Sequence, residues 1–261
     1  MSHRDVETAD RALFDAMAEK YARKDMVASS RIARRDALLR AVKPELRARG
    51  TLGTVVEVGC GAAASALYLA GQYARYIGID HSSEMIRFAR DFIGPAPDVE
   101  LLAANAKHTT LPDRSADTVL MVGALHHMTE LDLVMAEMLR ILRPGGRLIC
   151  IEPHRENPVI QALRWLRTKI DADYSPDQHF FTREELFNLL REYGFQDTKL
   201  RYFTLFSQPF AQVILPPQIL TAPLSRLACL LDAAIEPLLL GPLGKITWQI
   251  VASSVAPREK E

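Results

Sequence analysis

The run Val55-Val56-Glu57-Val58-Gly59-Cys60-Gly61-Ala62-Ala63-Ala64 constrains this chain more than any other stretch. Its β-branched residues favour a buried strand, and the two glycines then allow a sharp turn where a Cβ would clash. Ser65 to Ala70 has helix-forming composition, so the turn joins a strand end to a helix N-terminus. Unpaired N–H groups and the helix dipole favour polar or negative ligand groups at such a place. Glu57 is the unusual member, because a carboxylate near the end of an apolar strand is costly to bury unless it is paired. A phosphate-binding turn disfavours an anion there, whereas a ligand that carries an amine favours one.

The same alternation continues downstream. Tyr76 to Asp80 reads as a second strand, and Ser82 or Ser83 caps a helix running to about Arg90. Val99 to Ala104 is a third strand, and Asp117 to Gly123 a fourth that runs into Leu125-His126-His127. An amphipathic helix from Leu131 to Leu142 stops at Arg143-Pro144-Gly145-Gly146, and Arg147 to Ile151 is a fifth strand. Strand-helix alternation implies a mostly parallel sheet with right-handed crossovers, whose ligands lie beyond the carboxyl ends of the strands. Glu57, Asp80, Asn105, Gly123 and Glu152 all fall at those ends. Asp80 follows the glycines by roughly 20 residues, where a carboxylate can take both hydroxyls of an adenosine ribose.

The flanks are more individual. Residues 7 to 42 read as helices: Leu13, Phe14, Met17 and Tyr21 recur at helical spacing, Ile32, Leu38, Leu39 and Val42 continue after a polar break, and Pro44 and Gly50 end the segment. Such a pair packs on a sheet edge or serves as a lid. Residues 153 to 181 interrupt the alternation with prolines around the basic piece Val159 to Ile170. Thr182-Arg183-Glu184-Glu185 then makes a capping box for a helix ending at Gly194, and Gln196 to Phe206 and Lys245 to Val255 read as two final strands. Between those strands lies an apolar insertion, Ser207 to Gly244. Residues 202 to 225 carry no charge, yet Pro209, Pro216, Pro217 and Pro223 forbid a continuous membrane-spanning helix. Leu224, Leu227, Leu231, Ile235 and Leu238 follow helical spacing. Three readings of this stripe stay open: a cap buried on the domain or on a second copy, a roof over a hydrophobic acceptor, and a peripheral membrane contact. The division is therefore 1–50 helical lid, 51–206 core with a substrate-side insertion at 153–181, 207–244 apolar helical insertion, and 245–261 final strand and tail.

The 261 residues carry 32 basic and 32 acidic side chains, so no global field recruits nucleic acid. Three widely spaced cysteines and a charged N-terminus without a signal pattern point to a reduced, cytoplasmic chain.

In order along the chain, Glu57-Val-Gly-Cys-Gly, Gly78-Ile-Asp80 with Ser82, Met85 and Ala89, Leu111-Pro112 before Asp117-Thr-Val, Leu125-His126-His127, Leu142-Arg143-Pro144-Gly145-Gly146 and Tyr193-Gly194-Phe195 resemble the class I S-adenosylmethionine-dependent methyltransferases. The resemblance is to the small-molecule group with a type 11-like domain, over about residues 10 to 206. It implies a Rossmann-like α/β fold: a seven-stranded, mostly parallel sheet in order 3-2-1-4-5-7-6, the last strand antiparallel, with helices on both faces. It also implies S-adenosyl-L-methionine as cofactor. Carried over, Glu57, Gly59, Cys60 and Gly61 border its methionine part, Asp80 holds the ribose with His81 beside it, and Met85 packs near the adenine. Asn105 and Ala106 take the adenine edge, and Val122 and Gly123 pass beneath the methionine and sulfonium. Phe14-Asp15, Ala18 and Tyr21 match the family's N-terminal helix, which favours the lid reading and places Tyr21 among the expected cofactor contacts. Two departures stand out: Ala63 replaces a third glycine, and Asn105 stands where many relatives have aspartate.

The implied reaction is methyl transfer by in-line displacement to a small, lipophilic acceptor such as a natural product, a quinone or a lipid-like molecule. A base is needed only if the acceptor must lose a proton of high pKa. His127, just beyond strand four, and His154, just beyond strand five, are the candidates, with His179 a third. No metal is expected, since no zinc spacing occurs and extended His126 and His127 would point apart. Two other readings compete. Gly59-Cys-Gly61-Ala-Ala-Ala64 nominally satisfies the fingerprint of an NAD(P)-dependent oxidoreductase, although Glu57 sits badly beside a pyrophosphate. A catalytically silent binding subunit would also keep the fold. A nucleic-acid acceptor is disfavoured, because no Asp-Pro-Pro-Tyr or Asn-Pro-Pro-Tyr element follows strand four. The basic stretch Arg155, Arg164, Arg167, Lys169 reads as a solvated helix face.

Overall fold

The computed structural model describes residues 3–170 and 178–258; within them, the side chains of residues 3–7, 10, 17, 18, 20–22, 167, 168 and 170 lie outside the description. Two helices, α1 (His3–Met26) and α2 (Ala28–Arg49), precede the core of β1 (Thr54–Val58), α3 (Ala64–Tyr68), β2 (Arg75–Asp80), α4 (Ser83–Ile93), β3 (Val99–Ala103), β4 (Ala116–Val122), α5 (Leu131–Ile141) and β5 (Leu142–Pro153). There follow α6 (Pro158–Ile170), α7 (Arg183–Glu192), β6 (Gln196–Phe203), α8 (Gln208–Gln212), α9 (Gln218–Ile235), α10 (Gly241–Gly244) and β7 (Gln249–Val255). A 3-10 turn, Leu125–His127, links β4 to α5.

One seven-stranded sheet forms in the order β3-β2-β1-β4-β5-β7-β6, with β7 antiparallel to both of its neighbours. This is the expected topology. Strand residues point alternately to two layers. Val55, Leu120, Ile149 and Val251 pack toward α2 and α3, while Val56, Val119, Leu148 and Ile250 pack toward α5 and α7. Both faces are covered, which is why the central strands read as continuous apolar runs.

Two boundaries differ from expectation. Pro44 does not end the second helix: α2 runs on to Arg49 and closes on Gly50 in the left-handed region. Proline removes the N–H that would bond the Arg40 carbonyl. Arg201 Nη2 takes its place, donating to Arg40 O at 2.8 Å and Ala41 O at 3.1 Å. The Arg143-Pro144-Gly145-Gly146 break is absorbed into the start of β5, where Leu142 pairs with Ala116. The caps follow the sequence: Ser82 Oγ accepts from Met85 N–H at 3.0 Å, and Thr182 and Glu185 form the capping box of α7.

Candidate active site

The carboxyl ends of β1, β2 and β4 converge on one cleft. Glu57, from β1, is 2% exposed and accepts hydrogen bonds from Ser65 Oγ at 2.8 Å and from the Tyr76 hydroxyl. The Tyr76 ring has room to do this because Gly78, opposite Glu57 in register, has no side chain. A Cβ there would lie 2.8 Å from Leu101 Cδ2 and 3.1 Å from the Tyr76 ring. Burial pushes the Glu57 carboxyl up to about 7, against the lowering pull of the two hydroxyls. It therefore changes charge near neutrality, and a cation brought against it favours the ionised form. Farther in, the Tyr68 hydroxyl donates to buried Asp25 at 2.8 Å, and Arg34 Nε lies 2.7 Å from the same carboxylate.

Backbone conformation and packing constrain the loop after β1 differently at each position. A Cβ on Gly59 would fall 2.5 Å from Ala124 Cβ, so this turn lies hard against the segment after β4. Gly61, at φ +53°, instead faces open space, with no atom within 4 Å of where its Cβ would sit. Ala63 is left-handed too, φ 53° and ψ 30°, as it enters α3. That conformation costs alanine about 1–2 kcal/mol, and the buried methyl packs in the core against α2 and α3. Burial raises the Cys60 thiol well above its ordinary value, with Asp80 and Glu57 adding to the effect, which leaves it a poor nucleophile.

Asp80 fastens this loop to the end of β2. Its Oδ2 accepts from Gly61 N–H at 2.8 Å and its Oδ1 from Ser82 N–H at 2.9 Å. These bonds fix the direction of the carboxylate before any ligand arrives.

Glu152, fully buried at the end of β5, organises the segment after β4. It accepts from the N–H groups of Ala124 (3.1 Å) and Leu125 (2.9 Å), and its Oε2 lies 2.7 Å from His126 Nδ1. Burial nevertheless holds the His126 imidazole below its usual pKa, against the pull of Glu152. The backbone here is a 3-10 turn and not extended, so the rings of His126 and His127 lie 4.2 Å apart, centre to centre. The expectation that they point apart is corrected on that ground. His126 is tied down by Glu152, while His127 lines the cleft and meets Phe14 of α1 edge-on at 5.2 Å. Among the described residues no group of three or more His, Cys, Asp or Glu side chains is placed to hold a metal ion.

The cleft has two lobes that share Gly59, Asp80, His81, His127 and Met128. The inner lobe reaches Glu57, Cys60, Gly61, Met85, Val122 and Gly123, and the outer one reaches Asn105 and Ala106. Eleven of the twelve expected cofactor residues thus line one continuous space. Met85 lies in the inner lobe, away from the Asn105 end where an adenine edge was expected. The Asn105 side-chain oxygen accepts from Lys107 N–H at 2.9 Å, which fixes its orientation. The twelfth, Tyr21, is on α1 with its side chain outside the described residues. α1 borders both lobes: Phe14 packs on His81 and His127, and Asp15 accepts from Ser82 Oγ.

His154 is elsewhere. It is fully buried and lines neither lobe. Its Nδ1 accepts from Glu156 N–H at 3.1 Å, which leaves the ring proton on Nε2 to donate to Thr247 Oγ1 at 3.1 Å. Burial drives its pKa down to about 4, so it stays neutral at physiological pH. It clips β5 to the segment before β7, and both nitrogens are used in doing so. Sequence reasoning missed Tyr76, Arg34, Asp25 and Tyr68. Gly78 inside an apolar strand was the available signal for Tyr76, since a strand glycine marks close approach by another group.

A family model described as a methyltransferase domain matches residues 56–150, which take in the carboxyl ends of β1, β2 and β4 and stop just short of Glu152 at the end of β5. A solved S-adenosylmethionine-dependent methyltransferase of Thermotoga maritima superposes over 94% of this chain and 98% of its own, at a TM-score of 0.66 and 25% identity. Residues 56–150 carry a methyltransferase domain. Curated relatives that match it include a fatty-acid O-methyltransferase of Mycolicibacterium smegmatis, 34% identical over 120 residues, and a demethylmenaquinone methyltransferase of Listeria welshimeri, 33% identical over 108. These matches take in 45% and 40% of the chain, and 42% and 46% of the relatives. The chain thus spans less than half the length of the curated relatives it matches. The matched residues take in β1 to β5, whereas α1, α2 and α8, which also line the cleft, lie outside them.

Proposed function

We propose that this protein transfers a methyl group from S-adenosylmethionine to a small, lipophilic acceptor. One observation carries the reading: Glu57 and Asp80 sit at adjacent strand ends of a single cleft, joined by a glycine loop that Asp80 itself holds in place. A buried carboxylate that titrates near neutrality suits an ammonium group, and a second, rigidly aimed carboxylate suits a vicinal diol. Gly61 leaves between them the space that a side chain would fill. The residues present therefore fit this cofactor, with Glu57 toward its amine and Asp80 toward its ribose. A pyrophosphate cofactor fits the same turn poorly, because Glu57 would face its negative charge.

When bound, the cofactor supplies a methyl group already activated on a sulfonium. The protein's part is alignment, which contributes several kcal/mol or so in such reactions. Asp80 and the Gly59–Gly61 turn hold one partner, and Val122 and Gly123 form the floor beside it. Phe14 closes the cleft against water. His127, where the two lobes meet, is the side chain in position to accept a proton from an acceptor hydroxyl or carboxyl. The lipophilic class is supported by the relatives that methylate fatty acid and demethylmenaquinone. The test is turnover: the purified chain with labelled S-adenosylmethionine and a panel of fatty acids and demethylated quinones should yield methylated product. Absence of product across the panel, with the cofactor bound, would reject the acceptor class.

A further inference from the structure

α9 is an amphipathic helix turned outside in. Its buried positions are Thr221, Ser225, Ala228, Cys229 and Asp232, a single helical face. Ser225 Oγ donates to Ser29 O of α2 at 2.7 Å, and Asp232 accepts from the N–H groups of Leu205, Phe206 and Ser207 at 2.8 to 3.0 Å. The leucines face the other way. Ile219, Leu224, Leu227 and Leu230 are 52 to 81% exposed, and Leu238, Leu240 and Leu243 beyond them are 64 to 72% exposed. Of the three readings the sequence leaves open for the leucine stripe, a cap buried on the domain is the one this orientation disfavours, since the leucines point outward. A contiguous apolar face of this kind marks an interaction surface.

The surrounding charge selects the occupant. Among the described residues 204–254 the charged side chains are Arg226, Asp232, Glu236 and Lys245. Asp232 is fully buried and Glu236 is paired with Arg40, whereas Arg226 and Lys245 are exposed, the latter 3.4 Å from Glu156. α2, on which α9 packs, repeats the pattern. It exposes Arg31, Arg35, Lys43 and Arg47, buries Glu45, and pairs Asp36 with Arg40 at 2.7 Å. In a chain of zero formal charge, this pair of helices presents apolar side chains and cations, while its acids are either buried or paired with Arg40. A twofold contact between copies would set cations against cations. An anionic lipid surface neutralises them, while its acyl region takes the leucines.

We propose that the outward face of α9, continued by α10, seats the protein on the surface of an anionic lipid bilayer, with the helix lying in the plane of the interface. Gln218–Leu238 is long and apolar enough to cross a membrane by composition. Its polar side, however, stays hydrogen-bonded to α2 and to the loop after β6, which holds the helix on the domain. α8, immediately before α9, contributes Gln208 and Gln212 to the inner lobe of the cleft. The docking face is thus built on a wall of the site. The inference rests on the surface alone and is independent of the chemistry proposed for the cleft.

The experiment is co-sedimentation of the full chain with vesicles of phosphatidylcholine plus phosphatidylglycerol, and with vesicles of phosphatidylcholine alone. Retention is expected on the anionic vesicles, weaker on the neutral ones, and falling with added salt. Leu224→Glu/Leu227→Glu should lower the partition coefficient by roughly a hundredfold or more, since it removes two leucines from burial. Thermal melting of the variant reports whether it folds. Arg226→Glu, at a solvent-facing position, gives a second measure through weaker retention on the anionic vesicles alone. Wild-type protein that stays in the supernatant with both vesicles overturns the proposal. So does a folded double variant that is retained undiminished. A stable dimer by light scattering that ignores vesicles and falls apart in the double variant would assign the face to a second copy and overturn it equally.

Discussion

Replacing Glu57 by glutamine tests the electrostatics of the cleft most sharply. The buried carboxyl is pushed from an ordinary value of 4.5 up to about 7. If a ligand's ammonium group binds its ionised form, the competent fraction is about nine tenths at pH 8 and about one tenth at pH 6. Affinity for S-adenosylhomocysteine should then weaken by about tenfold across that interval, equivalent to about 1.4 kcal/mol. Glu57→Gln keeps the shape and removes the charge. It should bind more weakly at pH 8 by roughly 1.5 to 3 kcal/mol, the worth of a hydrogen bond to a charged group, and lose this pH dependence. Titration calorimetry at several pH values is the assay, because stability is a poor readout of this group. Between pH 4.5 and 7 native Glu57 holds a proton that the unfolded chain has lost, so its contribution to stability falls as pH rises. His154, lowered from 6.5 to about 4, has the opposite slope: the unfolded chain takes up the proton first, and stability is lost as pH falls from 6.5 through 4. The two slopes oppose one another over the same window. A wild-type affinity that does not change with pH, or a Glu57→Gln variant with the wild-type profile, would refute the assignment.

Other substitutions separate the roles assigned above. His127→Ala should lower kcat with little change in melting temperature, whereas His154→Ala should cost about 1–3 kcal/mol in urea unfolding, because it leaves buried partners unsatisfied; a reversal of these two results would reject the placement of the histidines. Gly59→Ala should abolish cofactor binding, since its methyl would meet Ala124 at 2.5 Å; retained affinity by calorimetry would show that the turn yields. Ala63→Gly relieves about 1–2 kcal/mol of left-handed strain but loses a buried methyl and adds chain entropy. Its stability in urea should therefore stay within about 1 kcal/mol of wild type, and a loss above about 2 would contradict that balance.

The sheet was legible because each parallel strand is a short apolar run, most of them closed by a polar residue, and because both faces are covered. Glu57 and Asp80 were legible because a carboxylate at the end of such a run is costly to bury unless a partner or a ligand meets it. The side chains that answer them were not, since Tyr76 and Ser65 reach Glu57 from neighbouring elements and no local spacing reports that. His154 misled because a strand terminus can point into the cleft or across to the next strand, and a hydrogen bond to Thr247, far along the chain, decides between them. For α9 the sequence left the inward face open. Periodicity identifies two faces of a helix without saying which is inward, and α2 offers it serine and backbone carbonyl groups, so the polar face turned in. Pro44 shows the converse, a helix breaker tolerated because Arg201 of a distant strand satisfies the exposed carbonyl.

The central claim is that the cleft between Glu57 and Asp80 is a cofactor site, and calorimetry with S-adenosylhomocysteine on wild type and Asp80→Ala tests it most directly. A single binding site is predicted, with affinity reduced by roughly 1.5 to 3 kcal/mol in the variant, the scale of a hydrogen bond to a charged group. No heat of binding to the wild-type protein, or equal affinity in both, would contradict it.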